Sequence, residues 1–268
     1  MSKKNQNQNT GDSVNDASGT NSSGKESSGK EGSDKEGSGT NSPAIISTEV
    51  SQFLQKVAST PAPINTQGKG RLVFAMDATA SREPTWDHAC QLQGEMFTTT
   101  DSLGGLMVQM CYYRGFREFY TSPWCQRSED LLGEMSTARC LGGHTQIHKV
   151  LSHLMAENSR QKIQAAVFVG DALEEDADKL CHQAGKLGVL GIPLFVFQEG
   201  HDANVKSVFK QIAALSNGAY SHFDLNSASQ LKNLLSAVAV FAAGGTQALK
   251  QLEQQSEVLR LIQQLKES

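Results

Sequence analysis

The sequence predicts an α/β domain built on a doubly wound, mostly parallel six-stranded sheet with one antiparallel edge strand. Three observations predict it. The runs Arg71–Met76 and Ala165–Gly170 are apolar without alternation, as expected of strands buried on both faces. Segments with helical apolar spacing separate the strand-length runs, so the order alternates as it does where parallel strands are joined by helices. Finally, Leu106–Tyr113 and Arg117–Thr121 are joined through Arg114-Gly115, a connection short enough for an antiparallel hairpin.

Taken in order, residues 1–42 form a low-complexity tail. They hold one valine and no other branched or aromatic apolar residue, and burial there cannot offset the entropy of ordering. The repeat Ser22-Ser23-Gly24-Lys25-Glu26, Ser27-Ser28-Gly29-Lys30-Glu31, Gly32-Ser33-Asp34-Lys35-Glu36 has no apolar position and reads as a flexible tether. Residues 43–67 hold a short docking helix and a linker. Val50, Phe53, Leu54 and Val57 fall at helical spacing from about Ser47 onward, and Pro61 and Pro63 end the segment.

The main domain spans 68–243. Its first strand stops at Asp77, and Pro84 suits the first turn of a helix with Trp86, Ala89, Gln93, Met96, Thr100 and Leu103 on one face. The hairpin follows, then a short helix capped by Ser128, then a Gly142-Gly143 loop into a helix burying Ile147, Val150, Leu151 and Leu154. The strand Ala165–Gly170 stops at Asp171. After it come a helix from about Glu175 to Leu187, a strand Ile192–Phe197, and a helix with Val205, Val208, Phe209, Ile212 and Leu215 closed by Ser216-Asn217-Gly218. A last strand, Ala219–Phe223, precedes a helix from Ser227 to about Ala243. Residues 244–268 form a C-terminal amphipathic helix with Leu252, Leu259, Ile262 and Leu265 in one stripe.

Charge and composition exclude several classes. The net charge is -4 with both signs interspersed, which argues against nucleic acid as the partner. The longest apolar run, Leu234–Ala243, is too short to span a bilayer, and no secretory signal is seen, so no membrane is expected and the cytoplasm is the expected compartment. Cys90, Cys111, Cys125, Cys140 and Cys181 are scattered and odd in number, hence reduced thiols.

In a doubly wound sheet, ligands bind where the two halves of the chain part, beyond the carboxyl ends of the central strands. Asp77 and Asp171 arrive there from opposite halves. Thr79 and Ser81 follow Asp77 at alternate positions, and Thr145 follows a Gly-Gly-His loop at a helix start. All five donors are hard oxygens, a set for Mg²⁺, or for Mn²⁺ and Ca²⁺, over Zn²⁺ or Cu²⁺. Alternatively these side chains merely cap the helices that follow them. Cys140, His144 and His148 are spaced like part of a zinc site, but no fourth ligand is evident, and loop polar residues are the simpler reading. His88, His153 and His182 read as solvent-facing helix positions, Trp124 as packing or a contact surface, and Glu174-Glu175-Asp176 as an acidic helix start.

These residues resemble the metal-ion-dependent adhesion site of the von Willebrand factor type A (VWA) domain. That family carries Asp-x-Ser-x-Ser after the first strand, a Thr in a later Gly-rich loop and an Asp after the fourth strand. The match is Asp77, Thr79, Ser81, Thr145 and Asp171, and the likeness covers about residues 68–243. Thr79 stands where Ser is commoner and keeps the hydroxyl. Gly170-Asp171-Ala172 stands where Thr-Asp-Gly is usual and puts the shape of that loop in question.

The resemblance implies a Rossmann-like fold, a divalent cation with an open coordination position, and a scaffold or protein-binding role. The partner would be another protein presenting an Asp or Glu. No activated nucleophile, P-loop or dinucleotide fingerprint is present, so no enzyme is expected. The alternative is a metal-dependent phosphohydrolase on a Rossmann-like sheet. Those of the haloacid dehalogenase type need a second Asp where this chain has Thr79.

Overall fold

The computed structural model describes residues 43–61, 69–84, 106–223 and 233–244, with side chains from residue 50 onward. The elements are α1 (Pro43–Ser59), β1 (Gly70–Asp77), a 3-10 turn (Ala80–Arg82), β2 (Leu106–Arg114), β3 (Glu118–Thr121), α2 (Ser128–Thr137), α3 (Ile147–Arg160) and β4 (Ala165–Gly170). They continue through α4 (Ala177–Val189), β5 (Leu194–Glu199), α5 (Ala203–Leu215) and β6 (Tyr220–Phe223), to α6 over residues 233–244. The expected tail, the helix bearing Trp86 and His88, Cys90, the start of the Ser227 helix and the C-terminal stripe lie outside the described residues.

Among the described residues the sheet has six strands in the order β3-β2-β1-β4-β5-β6. β1 pairs in parallel with both β2 and β4, β4 with β5 and β5 with β6, while β3 runs antiparallel to β2 at the edge. This is the predicted architecture. The order reverses between β1 and β4, so the crevice at their carboxyl ends lies where Asp77 and Asp171 emerge.

Alternation along β1 divides the core. Leu72, Phe74 and Met76 face one side with α1, α2 and α6, and Val73 and Ala75 face the other with α3, α4 and α5. On the first side Phe53 of α1 sits 6.0 Å from the ring of Phe195 and 5.3 Å from that of Phe197. Val57 beside it is also buried, so the docking helix predicted from Val50, Phe53, Leu54 and Val57 does dock. Removing a buried aromatic of this kind costs about 3–5 kcal/mol, so Phe53→Ala would weaken the docking of α1. On the second side the Phe168 ring lies 6.3 Å from Tyr113 and 5.6 Å from Phe209, which packs the strand under the site against α5.

Several local expectations are corrected. Ser128 is the first residue of α2 and not its N-cap, a position that Arg127 takes without a capping bond from its side chain. In the Ser216-Asn217-Gly218 closure of α5, Asn217 takes the left-handed conformation, at φ 60, and Gly218 is needed because a Cβ there would lie 2.0 Å from the Leu194 carbonyl oxygen. His153 is not solvent-facing. Its Nε2 meets Gln109 Oε1 at 2.9 Å and its ring stands edge-on to Phe119. Trp124 is a packing residue, with the Arg71 guanidinium 3.7 Å over its ring and its Nε1 donating to Glu157. His182 is exposed as expected. No helix among the described residues is long and apolar enough to cross a membrane.

Candidate functional site

Asp77 is the last residue of β1 and is fully buried. Both of its oxygens are occupied. Oδ1 accepts from the Thr79 amide at 2.8 Å, and Oδ2 accepts from the Tyr113 hydroxyl at 2.8 Å. Burial pushes the Asp77 carboxyl above its usual range. The hydrogen bonds from Thr79 and Tyr113 pull it back, and the nearby Asp171 charge raises it further. Tyr113, at the site end of β2, is itself fully buried, and desolvation together with the Asp77 charge holds its hydroxyl well above the phenol range. It therefore stays a proton donor. The sequence does not single out Tyr113, which reads as one more strand position in Leu106–Tyr113.

Thr79 follows in extended backbone, and the 3-10 turn begins after it. Its hydroxyl lies 3.1 Å from that of Ser81. Thr79 is buried and Ser81 exposed, so this pair leads from the crevice floor to solvent. Asp171, the first residue past β4, is half-buried. Its Oδ1 is buried and has no hydrogen-bond partner among the described residues. An oxygen left in that state costs about 1–3 kcal/mol, more for a charged group. The change to Gly at 170 also has a local cause. A Cβ there would come 2.8 Å from the Phe168 ring and 3.6 Å from Asp77 Cβ, so a Thr would crowd the packed ring below.

Thr145 is buried in the loop before α3. It forms a reciprocal pair with Glu174: the Thr145 amide donates to Glu174 Oε2 at 3.0 Å, and the Glu174 amide donates to Thr145 Oγ1 at 3.0 Å. Glu175 adds a second tie, accepting from the amides of Ile147 and His148 and lying 2.6 Å from His148 Nδ1. The acidic run is thus not simply the start of its own helix. Asp176 caps α4, with its side chain accepting from the Lys179 amide, while Glu174 and Glu175 satisfy the open end of α3. The Thr145 loop is held to the first strand as well, since the Leu141 amide donates to the Ala78 carbonyl at 3.0 Å.

The five expected residues thus fall in three loops at one end of the sheet. Asp77 feels the charge of Asp171, Thr79 and Ser81 touch, and Thr145 is joined to the segment following Asp171. Among the described residues no group of three or more His, Cys, Asp or Glu is placed to hold a metal. The set at the crevice has two carboxylates and three hydroxyls and is of a different kind. The Cys140, His144 and His148 spacing gives no zinc site: His144 and His148 each face a glutamate, at 3.0 and 2.6 Å.

No family profile matches the chain, and no curated protein sequence matches it. Solved structures do match in shape. The SpRpn10 VWA domain superposes with a TM-score of 0.50 at 11% identity, over 65% of this chain and 95% of that one. Proximal thread matrix protein 1 of the mussel byssus gives 0.51 at 21% identity, over 65% and 47%. The pilus adhesin SpaC of Lactobacillus rhamnosus GG gives 0.50 at 12%, over 66% and 30%. At such identities the likeness is one of fold, and the fold of this chain is the Rossmann-like, mostly parallel six-stranded sheet of a VWA domain.

Proposed function

We propose that Asp77, Thr79, Ser81, Thr145 and Asp171 hold a divalent cation, Mg²⁺ in first place, and that the chain is a protein-binding or scaffold module. The cation would engage an acidic group of a partner protein. The observation that carries this reading is the buried, unpartnered Oδ1 of Asp171 beside the buried Asp77 carboxylate. Desolvation and the Asp171 charge both raise the Asp77 carboxyl, and a cation in the crevice would relieve that. The donors suit a hard ion: oxygens only, two of them charged. A bound cation supplies positive charge and a coordination position for an outside oxygen.

The chain's own residues do the rest. Tyr113 and Thr79 fix the Asp77 carboxylate through both of its oxygens. The Thr145–Glu174 pair sets the height of the Thr145 hydroxyl over the crevice. A pilus adhesin and an Rpn10 VWA domain share the fold, which supports an interaction role over a reaction.

Calorimetric titration of the full chain with Mg²⁺ tests the proposal. Wild type should bind, and Asp77→Ala and Asp171→Asn should each lose at least about tenfold in affinity while keeping the far-ultraviolet dichroism of the wild type. Affinity unchanged in both variants would overturn the cation site. For the partner, capture from lysate in Mg²⁺ should fail in EDTA and weaken with Thr145→Ala. Equal capture in all three would leave the fold without its metal-bridged role.

A further inference from the structure

Beside the crevice two large apolar side chains stand in solvent. Phe116, in the β2–β3 turn, is 73% exposed, and Leu141, in the loop leading to Thr145, is 46% exposed. Single exposed apolar residues are ordinary, but both of these are tied to one turn, Phe116 following Gly115 in the chain and Leu141 bonded to it. Gly115 turns the chain at φ 57, and a Cβ on it would lie 3.2 Å from Leu141 Cδ2. The Gly115 amide donates to the Leu141 carbonyl, and the His144 amide donates to the Gly115 carbonyl at 3.2 Å. Gln146 Nε2 donates to the carbonyls of Arg114 and Gly115. The Phe116 ring lies 5.4 Å from that of His144, the residue before Thr145. Both apolar side chains are therefore joined, through these bonds and the His144 ring, to the loop that brings Thr145 to the site.

Basic side chains lie around them, with the acidic Glu118 and Glu174 engaged by Arg114 and His144. Arg117 and Arg139 are exposed and Lys149 is half-buried, with Lys149 Nζ donating to the Arg117 carbonyl. Arg114 is paired with Glu118 and also donates to the Arg139 carbonyl. None of Arg117, Arg139 and Lys149 has an acidic partner among the described residues. The flank thus offers apolar contact beside three basic side chains that have no acidic partner among the described residues.

We infer that the partner is an acidic peptide segment with a large apolar side chain beside its carboxylate, and that Phe116 and Leu141 receive that side chain. This rests on the metal-bridged reading of the crevice and names the class of partner it takes. A peptide fits better than a lipid surface, because two apolar side chains are too small an area to hold a protein on a bilayer, yet they match one side chain in size.

The test is to pan a displayed library of random peptides on the full chain in Mg²⁺ and measure the recovered peptides against wild type and Phe116→Ser. The side chain is exposed, so the variant should fold and should keep its Mg²⁺ affinity. Recovered peptides should pair Asp or Glu with Phe, Leu, Met or Trp, and should bind the variant about tenfold more weakly, the loss of one aromatic contact. Peptides without a large apolar residue, or equal binding to the variant, would overturn the inference. An EDTA arm separates the two readings. Binding lost in EDTA but indifferent to Phe116→Ser keeps the cation and removes the apolar contact, whereas binding that survives EDTA but needs Phe116 removes the cation. Cosedimentation of wild type, and not of Phe116→Ser, with phosphatidylserine vesicles would put a lipid surface in place of the peptide and overturn the inference.

Discussion

The Tyr113 hydroxyl donates a 2.8 Å hydrogen bond to Asp77 Oδ2, joining the ends of two adjacent strands beneath the crevice, with both residues fully buried. This bond is one of the few compensations for a carboxylate out of water. Tyr113→Phe keeps the ring and its packing on Phe168 but leaves Oδ2 without its donor. Urea unfolding without metal should show a loss of about 1.5–3 kcal/mol, the range for a bond to a charged group. Stability equal to wild type would mean that the bond does not form in solution.

Gly143 meets the Gly115 carbonyl where the hairpin turn abuts the Thr145 loop. A Cβ at 143 would stand 1.9 Å from that oxygen, a backbone atom that cannot swing away. Gly143→Ala should therefore push the loop off the turn. It should cost about 1–3 kcal/mol, as forced overpacking does, and should weaken Mg²⁺ binding through displacement of Thr145. Thermal unfolding and calorimetry together check this. A variant with wild-type values in both would contradict the close approach.

Glu175 caps α3 from a different loop. Glu175→Ala should cost about 1 kcal/mol, the usual worth of an N-cap, and Glu175→Gln, which keeps an acceptor oxygen, should recover part of that loss. Equal losses in the two variants would point to the charge itself, acting on the helix dipole, and against the hydrogen bonds.

His153 gives the pH dependence. Burial holds its imidazole below the ordinary 6.5, Glu157 opposes that shift, and Arg160 adds to it. The folded value is depressed, so the fold favours the neutral ring. The stability associated with it is complete above about pH 6.5 and is lost as the pH falls through the folded value. Wild type should lose stability on acidification in that window, and His153→Gln should lose less. Parallel curves for the two proteins would assign the acid sensitivity to other groups.

Legible in the sequence alone are the alternation of elements and the positions, at strand ends and in loops, of five hydroxyl and carboxylate residues. The strands at 70–77 and 165–170 are legible because burial on both faces leaves an unbroken apolar run, and α1 because Val50, Phe53 and Val57 share one helical face. Asp77 and Asp171 are legible because each ends such a run, and the doubly wound order sends both ends to one crevice.

Only the tertiary structure decided which groups hold those residues. Tyr113 reads as one more core position until β2 is laid beside β1. Glu174 and Glu175 read as the start of their own helix until the loop after β4 is folded against α3, 27 to 29 residues away in the chain. His153 reads as exposed until Phe119 is brought over it by the hairpin. Periodicity records which face of an element is apolar, because burial repeats along the element itself. A single polar contact between distant loops leaves no such repeat, and its partner is fixed only when packing sets the loops side by side.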